Sequence, residues 1–213
     1  MVTTFLAMSI FTMSAFSPNA DSASQTHVLA KHAFSLADRY SNASVNEVFK
    51  DNIWLTLQYL QGSVPGKNIS WNTITKPFIY SFTLEPQQTF AFHPDILPQY
   101  KQTLAQTTHA DFSEVQGFKS DGYLYGDGVC HLASLINWTA KDAGLTVYAP
   151  TKHNFAMIPD IPKKYGVAIY DAPNQLSASE QQNLYITNNQ AEPVNFTFDY
   201  QNNTLSVTAS ENF

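Results

Sequence analysis

The stretch Gly126-Asp127-Gly128-Val129-Cys130-His131 sets the position of the central helix of this chain. Two glycines precede a run whose apolar residues share one helical face from Val129 to Ala140. A glycine-rich turn lets the backbone approach a ligand closely, and a helix N-terminus supplies free N–H groups with a partial positive charge. The sole cysteine therefore lies where a thiol is biased toward the thiolate, the form that attacks a carbonyl carbon.

Strand patterns flank this helix on both sides. Upstream, side chains alternate over 77–84, Glu85-Pro86-Gln87 forms a turn, and 89–92 returns as a second strand. Residues 93–125 show little periodicity and are predicted as a long loop. Downstream, strands are predicted over 145–148, 155–158, 166–170 and 184–186, and a hairpin over 193–208. The sequence therefore predicts an α+β fold, mainly an antiparallel sheet, with a central helix starting at Cys130 and an N-terminal helical segment.

The segment before these strands is predicted to be helical. Ser44-Val45-Asn46-Glu47 has the Ser-x-x-Glu form of a capping box, and apolar residues then recur at three- and four-residue steps. These signals predict a helix over about 45–61. Residues 26–40 also carry apolar residues at mixed helical spacing, so we divide the chain into a helical segment over 23–72 and an α+β domain over 73–213.

Residues 1–22 have the pattern of an export signal. They are apolar and uncharged as far as Phe16, and Ala20-x-Ser22 has the small-x-small form of a signal-peptidase site. A positive n-region is missing, and the apolar stretch is short for a membrane span of about 20 residues. We therefore predict export, with an uncleaved anchor or a buried N-terminal helix as the alternatives.

Composition excludes several kinds of partner. The chain has 213 residues, 44% of them hydrophobic, which is enough for one domain with a full core. Its formal net charge is -6 and it contains no basic run, so neither nucleic acid nor an anionic membrane surface is an expected partner. Membrane contact is expected only through an uncleaved signal, and oligomeric state has no signal in the composition. A single cysteine rules out an internal disulfide.

Cys130 and the histidines near it in sequence are the candidate catalytic residues. An acyl-transfer cysteine needs a base to take its proton and a third group to orient that base. His153 is the candidate base, and Asp171 or Asp160 the candidate orienting group. His131 is the alternative base, although adjacent helical residues point about 100° apart.

A structural interpretation of the same residues stays open beside the catalytic one. Free cysteine is commonly a small buried hydrophobe, and a histidine such as His153 can be purely structural. Asp127 would raise the pKa of the thiol unless it caps the helix. Two His-x-Asp pairs, beginning at His93 and His109, could each face one side of an extended chain, but no further ligand spacing accompanies them. No metal or cofactor is therefore expected.

Several motifs stand in a fixed order along the chain. They are Ser81-Phe82-Thr83-Leu84-Glu85-Pro86 with Thr89-Phe90-Ala91-Phe92, then Gly126-Asp127-Gly128-Val129-Cys130-His131-Leu132-Ala133-Ser134, then Ala143-Gly144-Leu145, His153, and Leu184-Tyr185-Ile186-Thr187-Asn188-Asn189 with Pro193-Val194. Together, over about residues 73–208, they resemble the VanW family, which is named for a protein encoded in some vancomycin-resistance clusters. The chain departs from the family pattern where Asp127 replaces a glycine, His131 a glutamine and His93 an asparagine. Tyr165 stands where the family carries an Asp after the His. A catalytic triad carried over from the family would therefore lack its Asp in this chain.

The resemblance implies a bacterial, extracytoplasmic domain that acts on or near peptidoglycan, with a cell-wall peptide or glycan as its partner. Two functions fit this expectation. One is cysteine-dependent acyl chemistry on a peptide amide, with backbone N–H groups at 128–130 holding the oxyanion. The other is a non-catalytic binding or scaffold module with a structural cysteine, in which the glycine turn and the 93–125 loop form a groove. The candidate substrate-binding residues are Gly126, Asp127, Gly128 and His93.

Overall fold

The computed structural model describes residue 1 and residues 26–64, 69–122, 125–172 and 174–212. Apart from Met1, the expected export signal lies outside these residues. The described chain forms an α+β fold with two four-stranded sheets, as predicted. No helix within it is long and apolar enough to cross a membrane. The strands are β1 Thr26–Ser35, β2 Phe78–Leu84, β3 Thr89–Ala91, β4 Leu104–Thr107, β5 Thr146–Tyr148, β6 Tyr185–Thr187, β7 Val194–Gln201 and β8 Thr204–Asn212; the helices are α1 Ala43–Gln61, α2 Trp71–Ile74, α3 Val129–Asp142 and α4 Leu176–Gln181.

The first sheet is antiparallel throughout, in the order β1-β8-β7-β2. The predicted C-terminal hairpin is confirmed as β7 and β8, which turn through Asn202 and Asn203 at φ of 52° and 58°. Two consecutive positive-φ residues match the twist of the flanking strands, and asparagine tolerates this conformation well. The alternating side chains of β7 bury Phe196 and Phe198 against Phe82 of β2, with stacked rings.

The helical prediction for the residues before α1 is wrong over 26–35, which form β1. This strand pairs with β8 at the edge of the first sheet, with a register shift between Val28 and Ala30. Most of its side chains remain at least partly exposed, so the strand has no strong alternation to distinguish it from a helix. Pairing with β8, which is distant in sequence, decides its conformation over local propensity.

The second sheet has the order β4-β3-β6-β5, in which β3 and β4 are parallel and the other pairs antiparallel. The expectation that the strand over 89–92 returns beside 77–84 is wrong, because β2 and β3 belong to different sheets. The turn between them, with Gln87 at φ 68°, carries the chain from one sheet to the other. Phe82 and Phe90 then stack between the sheets with ring centroids 5.3 Å apart. β4 lies in the stretch that was predicted as loop.

Both long helices match their predictions except at their starts. α1 begins after Asn42, whose side chain accepts hydrogen bonds from the amides of Ser44 and Val45, so the cap lies two residues before the predicted one. α1 ends at the left-handed cap Gly62, with φ 72°. α3 begins at Val129 after its cap Gly128, which makes Cys130 the second helical residue. α3 is packed against β1, β8 and α1.

The predicted strands over 155–158 and 166–170 are absent from the structure. Residues 165–169 lie beside α3, and their backbone groups form hydrogen bonds with side chains of the helix. Asn137 Nδ2 donates to the Tyr165 carbonyl at 2.7 Å, and the Val167 amide donates to Ser134 Oγ at 2.9 Å. The Ile169 amide donates to Cys130 Sγ at 3.3 Å. The segment is extended, but its backbone partners are helix side chains and one isolated bridge, Lys152 to Val167.

Candidate functional site

A cleft of about 900 Å³ opens at the N-terminal end of α3. Its walls come from Phe49 of α1 and from four segments that are distant in sequence: 111–115, 125–131, 153–157 and 168–171. The predicted site residues Gly126, Asp127, Gly128, Cys130, His131, His153 and Asp171 all line it. The fold therefore gathers most of the candidates into one cavity.

The two glycines before α3 are required by the fold as well as by the cleft. Gly126 and Gly128 have φ of 85° and 97°, a conformation that other L-residues rarely adopt. A Cβ on Gly128 would lie 2.6 Å from the carbonyl oxygen of Phe49, and a Cβ on Gly126 would lie 2.9 Å from Phe112 Cβ. Asn52 of α1 holds the turn from the other side by donating to the carbonyl of Asp127 at 2.9 Å. The glycine turn therefore seats α3 directly on α1.

The thiol of Cys130 is engaged by the backbone of Ile169. Sγ accepts from the Ile169 amide at 3.3 Å and donates to the Ile169 carbonyl at 3.5 Å. The side chain is partly exposed and packs against the core. Burial raises the pKa of the thiol to about 11, and the nearby carboxylate of Asp127 adds to the shift. Desolvation therefore outweighs the backbone hydrogen bonds that lower the pKa, and the thiol is protonated at neutral pH.

The two histidines of the cleft lie close to each other, but neither is positioned as a general base for the thiol. The rings of His131 and His153 have centroids 6.3 Å apart in an edge-on arrangement. His153 Nδ1 donates to the carbonyl of Ala156 at 3.2 Å. Burial lowers the pKa of both histidines, for His131 to about 3, so both are neutral. Among the described residues, neither imidazole is a hydrogen-bond partner of Cys130.

The two candidate orienting carboxylates have other partners than His153. Asp171 accepts from Ser179 Oγ at 3.3 Å, and burial together with Asp95 raises its pKa to about 6. Asp160 pairs with Arg39, with Nη2 and Oδ2 2.5 Å apart. Within the described residues no hydrogen bond joins either carboxylate to His153, so the expected Cys-His-Asp chain of contacts is not assembled in this structure.

Two further groups of the expected site, the imidazole of His93 and the amide of Val129, already have hydrogen-bond partners within the protein. His93 is fully buried and lies outside the cleft lining, with Nε2 3.2 Å from the Gln182 carbonyl and Nδ1 3.4 Å from Asn183 Nδ2. Burial lowers its pKa to about 4. The amide of Val129, one of the expected oxyanion donors, donates to the Gly126 carbonyl at 3.1 Å. His93 is therefore buried with hydrogen-bond partners inside the fold and does not line the cleft.

Sequence reasoning missed the carboxylates and the exposed apolar side chains that surround the cleft. Asp111 and Glu114 join Asp127 and Asp171 in the lining. Large apolar side chains stand exposed around its rim, including Phe155 at 78% and Met157 at 87% of full exposure. Tyr40, Val115, Tyr125 and Tyr170 are the other large hydrophobic side chains of the described lining that are exposed. The long aperiodic stretch over 93–125 is a signal for Asp111, Glu114, Val115 and Tyr125 only, and the sequence carries no signal for the rest.

The fold and the cleft define a class of protein: an α+β domain of two packed sheets with a ligand-sized cavity at the start of one helix. A family model described as VanW like protein matches residues 67–210. The chain belongs to the family of VanW-like proteins. Comparison with curated proteins and with solved structures found no significant match.

Proposed function

We propose that this protein is exported to the bacterial cell envelope, where it acts as a non-catalytic module that binds a peptide or glycan of peptidoglycan. Membership of the VanW-like family supports the envelope assignment. The contact between Cys130 Sγ and the backbone of Ile169 is the observation that carries the non-catalytic assignment. Cys130 serves as a structural residue in this proposal.

The polar face of α3 supports a structural role for the thiol. Cys130, Ser134 and Asn137 lie on one side of the helix, and each bonds an alternate residue of the segment 165–169. From Cys130 to Ser134 the helix rises about 6 Å over four residues, and from Ile169 to Val167 two extended residues span about 6.5 Å. The spacing of these two side chains therefore matches the spacing of the two amides that they bond, and the thiol is one member of a pair of similar contacts.

The protonation states of the cleft oppose acyl chemistry in this arrangement. A cysteine nucleophile needs a thiolate and an adjacent imidazole. The pKa of the Cys130 thiol is raised to about 11, and its hydrogen bonds go to Ile169. The volume and the exposed apolar rim of the cleft instead suit the binding of a peptide or a sugar ring.

Cysteine-dependent acyl chemistry on a peptide amide is the second candidate. One observation favours it: Cys130, His131 and His153 line the same cleft. The reaction would require the thiol to leave Ile169 and reach one of the imidazoles. The two candidates therefore make opposite predictions for variants of Cys130.

Sedimentation with purified peptidoglycan sacculi tests the proposal. The purified chain and Cys130→Ala are incubated with sacculi, and both the bound protein and any soluble fragments released are measured by chromatography and mass spectrometry. We expect both proteins to sediment with the sacculi and neither to release fragments. Release by the unaltered chain that Cys130→Ala lacks would establish the acyl chemistry and overturn the binding module.

A matched pair of surface variants tests whether the cleft is the binding site. Phe155→Ser removes an exposed apolar side chain of the rim, and Ile79→Ser removes one that is 69% exposed on β2, outside the cleft. We expect Phe155→Ser to reduce sedimentation several-fold and Ile79→Ser to leave it unchanged. Equal binding by both variants would place the site elsewhere.

Export is tested separately from binding. Residues 1–25 are fused to an alkaline phosphatase that is active only outside the cytoplasm, with a fusion lacking these residues as the control. We expect phosphatase activity only with residues 1–25 present. Activity in neither fusion would overturn the export part of the proposal.

A further inference from the structure

Acidic side chains outnumber basic ones in the described lining of the cleft. Four carboxylates, Asp111, Glu114, Asp127 and Asp171, belong to the described lining. Asp171 is also close enough to Asp95 for their charges to interact, and Asp127 to Asp121. Carboxylates brought together in a partly buried cavity attract a cation more strongly than the same groups spread over a surface.

The one cationic side chain in the described lining does not offset these carboxylates. Arg39 is 1% exposed, and its guanidinium donates to Asp160 and, at 3.0 Å, to the carbonyl of Pro159. Its charge is therefore largely neutralised by an acid that is not part of the lining. The cavity remains electronegative.

His131 supplies a second, independent indication of a ligand. Its side chain is 5% exposed and lines the cleft, and its buried Nδ1 has no hydrogen-bond partner among the described residues. Burial keeps the ring neutral, so one nitrogen is a donor and the other an acceptor. A buried polar group without a partner is costly and calls for an explanation. A bound peptide group offers both an N–H and a carbonyl to such a ring.

We propose that the cleft selects a peptide bearing a free primary ammonium group over neutral glycans and over anionic ligands. The ammonium lies among Asp111, Glu114, Asp127 and Asp171, the peptide backbone faces His131, and the apolar rim covers the remaining side chains. The inference rests on the proposed binding function and names the chemical class of its ligand. The amine-bearing stem peptide of a cell wall is the occupant that combines these properties.

Chemical blocking of the amines tests this inference with the same sacculi. One sample keeps its free amines, and a second is N-acetylated with acetic anhydride, which removes the positive charge and keeps the glycan and peptide backbone. We expect about tenfold weaker sedimentation of the protein with the acetylated sample. The preference is expected to shrink as sodium chloride rises from 50 to 300 mM, because salt screens the charge pairing.

Isosteric variants connect the preference to the named carboxylates. The double variant Asp127→Asn/Asp171→Asn removes two charges while its amide oxygens can still accept from Asp121 and Ser179. Glu192→Gln removes one charge from an exposed residue outside the cleft and is the control for loss of negative charge elsewhere on the surface. We expect the double variant to bind both samples alike and the control to keep the preference. Thermal unfolding of each variant shows that it is folded.

Each outcome decides a different statement. Equal binding of free and acetylated sacculi by the unaltered chain overturns the ammonium inference and leaves the binding function standing. Binding of neither sample overturns both. A preference that persists in the double Asn variant overturns the assignment to these carboxylates.

Discussion

The thiol of Cys130 and the main chain of Ile169 form a two-point contact, with Sγ 3.3 Å from the amide nitrogen and 3.5 Å from the carbonyl oxygen. One helical turn later, Ser134 Oγ accepts from the Val167 amide at 2.9 Å. The two contacts attach the same extended segment to the same face of α3. Cys130 and Ser134 therefore make equivalent contacts with the segment.

This equivalence predicts similar stability losses for Cys130→Ala and Ser134→Ala. Each change leaves a largely buried amide, of Ile169 or Val167, without its partner, which costs about 1–3 kcal/mol of unfolding free energy. Cys130→Ser keeps a donor and an acceptor and is expected to lose less than Cys130→Ala. Urea denaturation of the three variants measures these differences. A Cys130→Ala variant as stable as the unaltered chain would contradict the structural role.

The raised pKa of Cys130 predicts slow alkylation. A thiol with a pKa of about 11 has on the order of a hundredfold less thiolate near pH 7.5 than a free cysteine. We expect iodoacetamide to modify Cys130 far more slowly than it modifies glutathione under the same conditions, with mass spectrometry following the reaction. Modification in 6 M urea serves as the control, because unfolding removes the burial. Fast reaction of the folded protein would restore the catalytic interpretation.

The close packing of α3 against α1 at Gly128 predicts that Gly128→Ala is severely destabilising. The added Cβ meets the carbonyl oxygen of Phe49 at 2.6 Å, and φ is 97°. Backbone displacement and conformational strain together should cost about 3 kcal/mol or more.

Gly62→Ala is the matched comparison for this change. Gly62 also has a positive φ, 72°, but a Cβ there meets nothing within 4 Å. We expect this variant to lose only about 1 kcal/mol, from strain alone. Equal unfolding midpoints for the two alanine variants would show that the close approach of α1 to α3 does not matter for stability.

The cleft carboxylates predict opposite effects of protonation on stability and on binding. The pKa of Asp171 is raised to about 6 from an ordinary 3.8, so folding favours its neutral form, and its contribution to stability declines as pH rises through 6. Asp171→Asn should stabilise the protein at pH 7.5, on the order of 1 kcal/mol once solvent screening is allowed for. The gain should vanish near pH 4, where both side chains are neutral.

The measurement compares the variant with the unaltered chain at each pH. The pKa of His131 is lowered to about 3 and that of His93 to about 4, so their contributions decline as pH falls below 6.5 and act in the opposite direction. Urea denaturation at pH 7.5 and pH 4.5 gives the difference directly. A stability gain of Asp171→Asn that is the same at both pH values would contradict a titrating Asp171. If the cleft binds an ammonium group, the affinity should instead fall as pH drops through 6.

The elements that were predicted correctly are those whose buried side chains follow a regular spacing within one segment of the sequence. The three- and four-residue spacing predicted α1 and α3, and strict alternation predicted the β7–β8 hairpin. These elements each bury one regular face, and the period of that face is visible in the chain.

The segment 166–170 shows why other elements could not be predicted. Its residues have strand-like composition, but the amides of Val167 and Ile169 bond the side chains of Ser134 and Cys130. Its main-chain pairing is limited to the isolated bridge from Val167 to Lys152 and the single bonds around it. β1 was missed for a related reason, because its partner β8 lies at the other end of the chain. Both depend on long-range pairing, which spacing within one segment does not encode.

Most of the predicted site residues line one cleft, His93 and Asp160 lie outside its lining, and the contacts of none of them were predicted. Cys130, His131, His153 and Asp171 do line one cleft, although they come from segments up to about 40 residues apart. The partners of each side chain depend on distances that composition does not carry. Ile169, which holds the thiol, has no feature in the sequence that distinguishes it from other apolar residues.

The match to the family begins at residue 67, and both β1 and α1 precede that residue in the chain. A polypeptide that began at this boundary would lack β1, so the backbone N–H and C=O groups of β8 that bond β1 would be exposed. An exposed strand edge of this kind can pair with a strand of a neighbouring molecule. It would also lose Phe49 from the wall of the cleft. The sheet and the wall of the cleft in this chain therefore both depend on residues that precede the matched region.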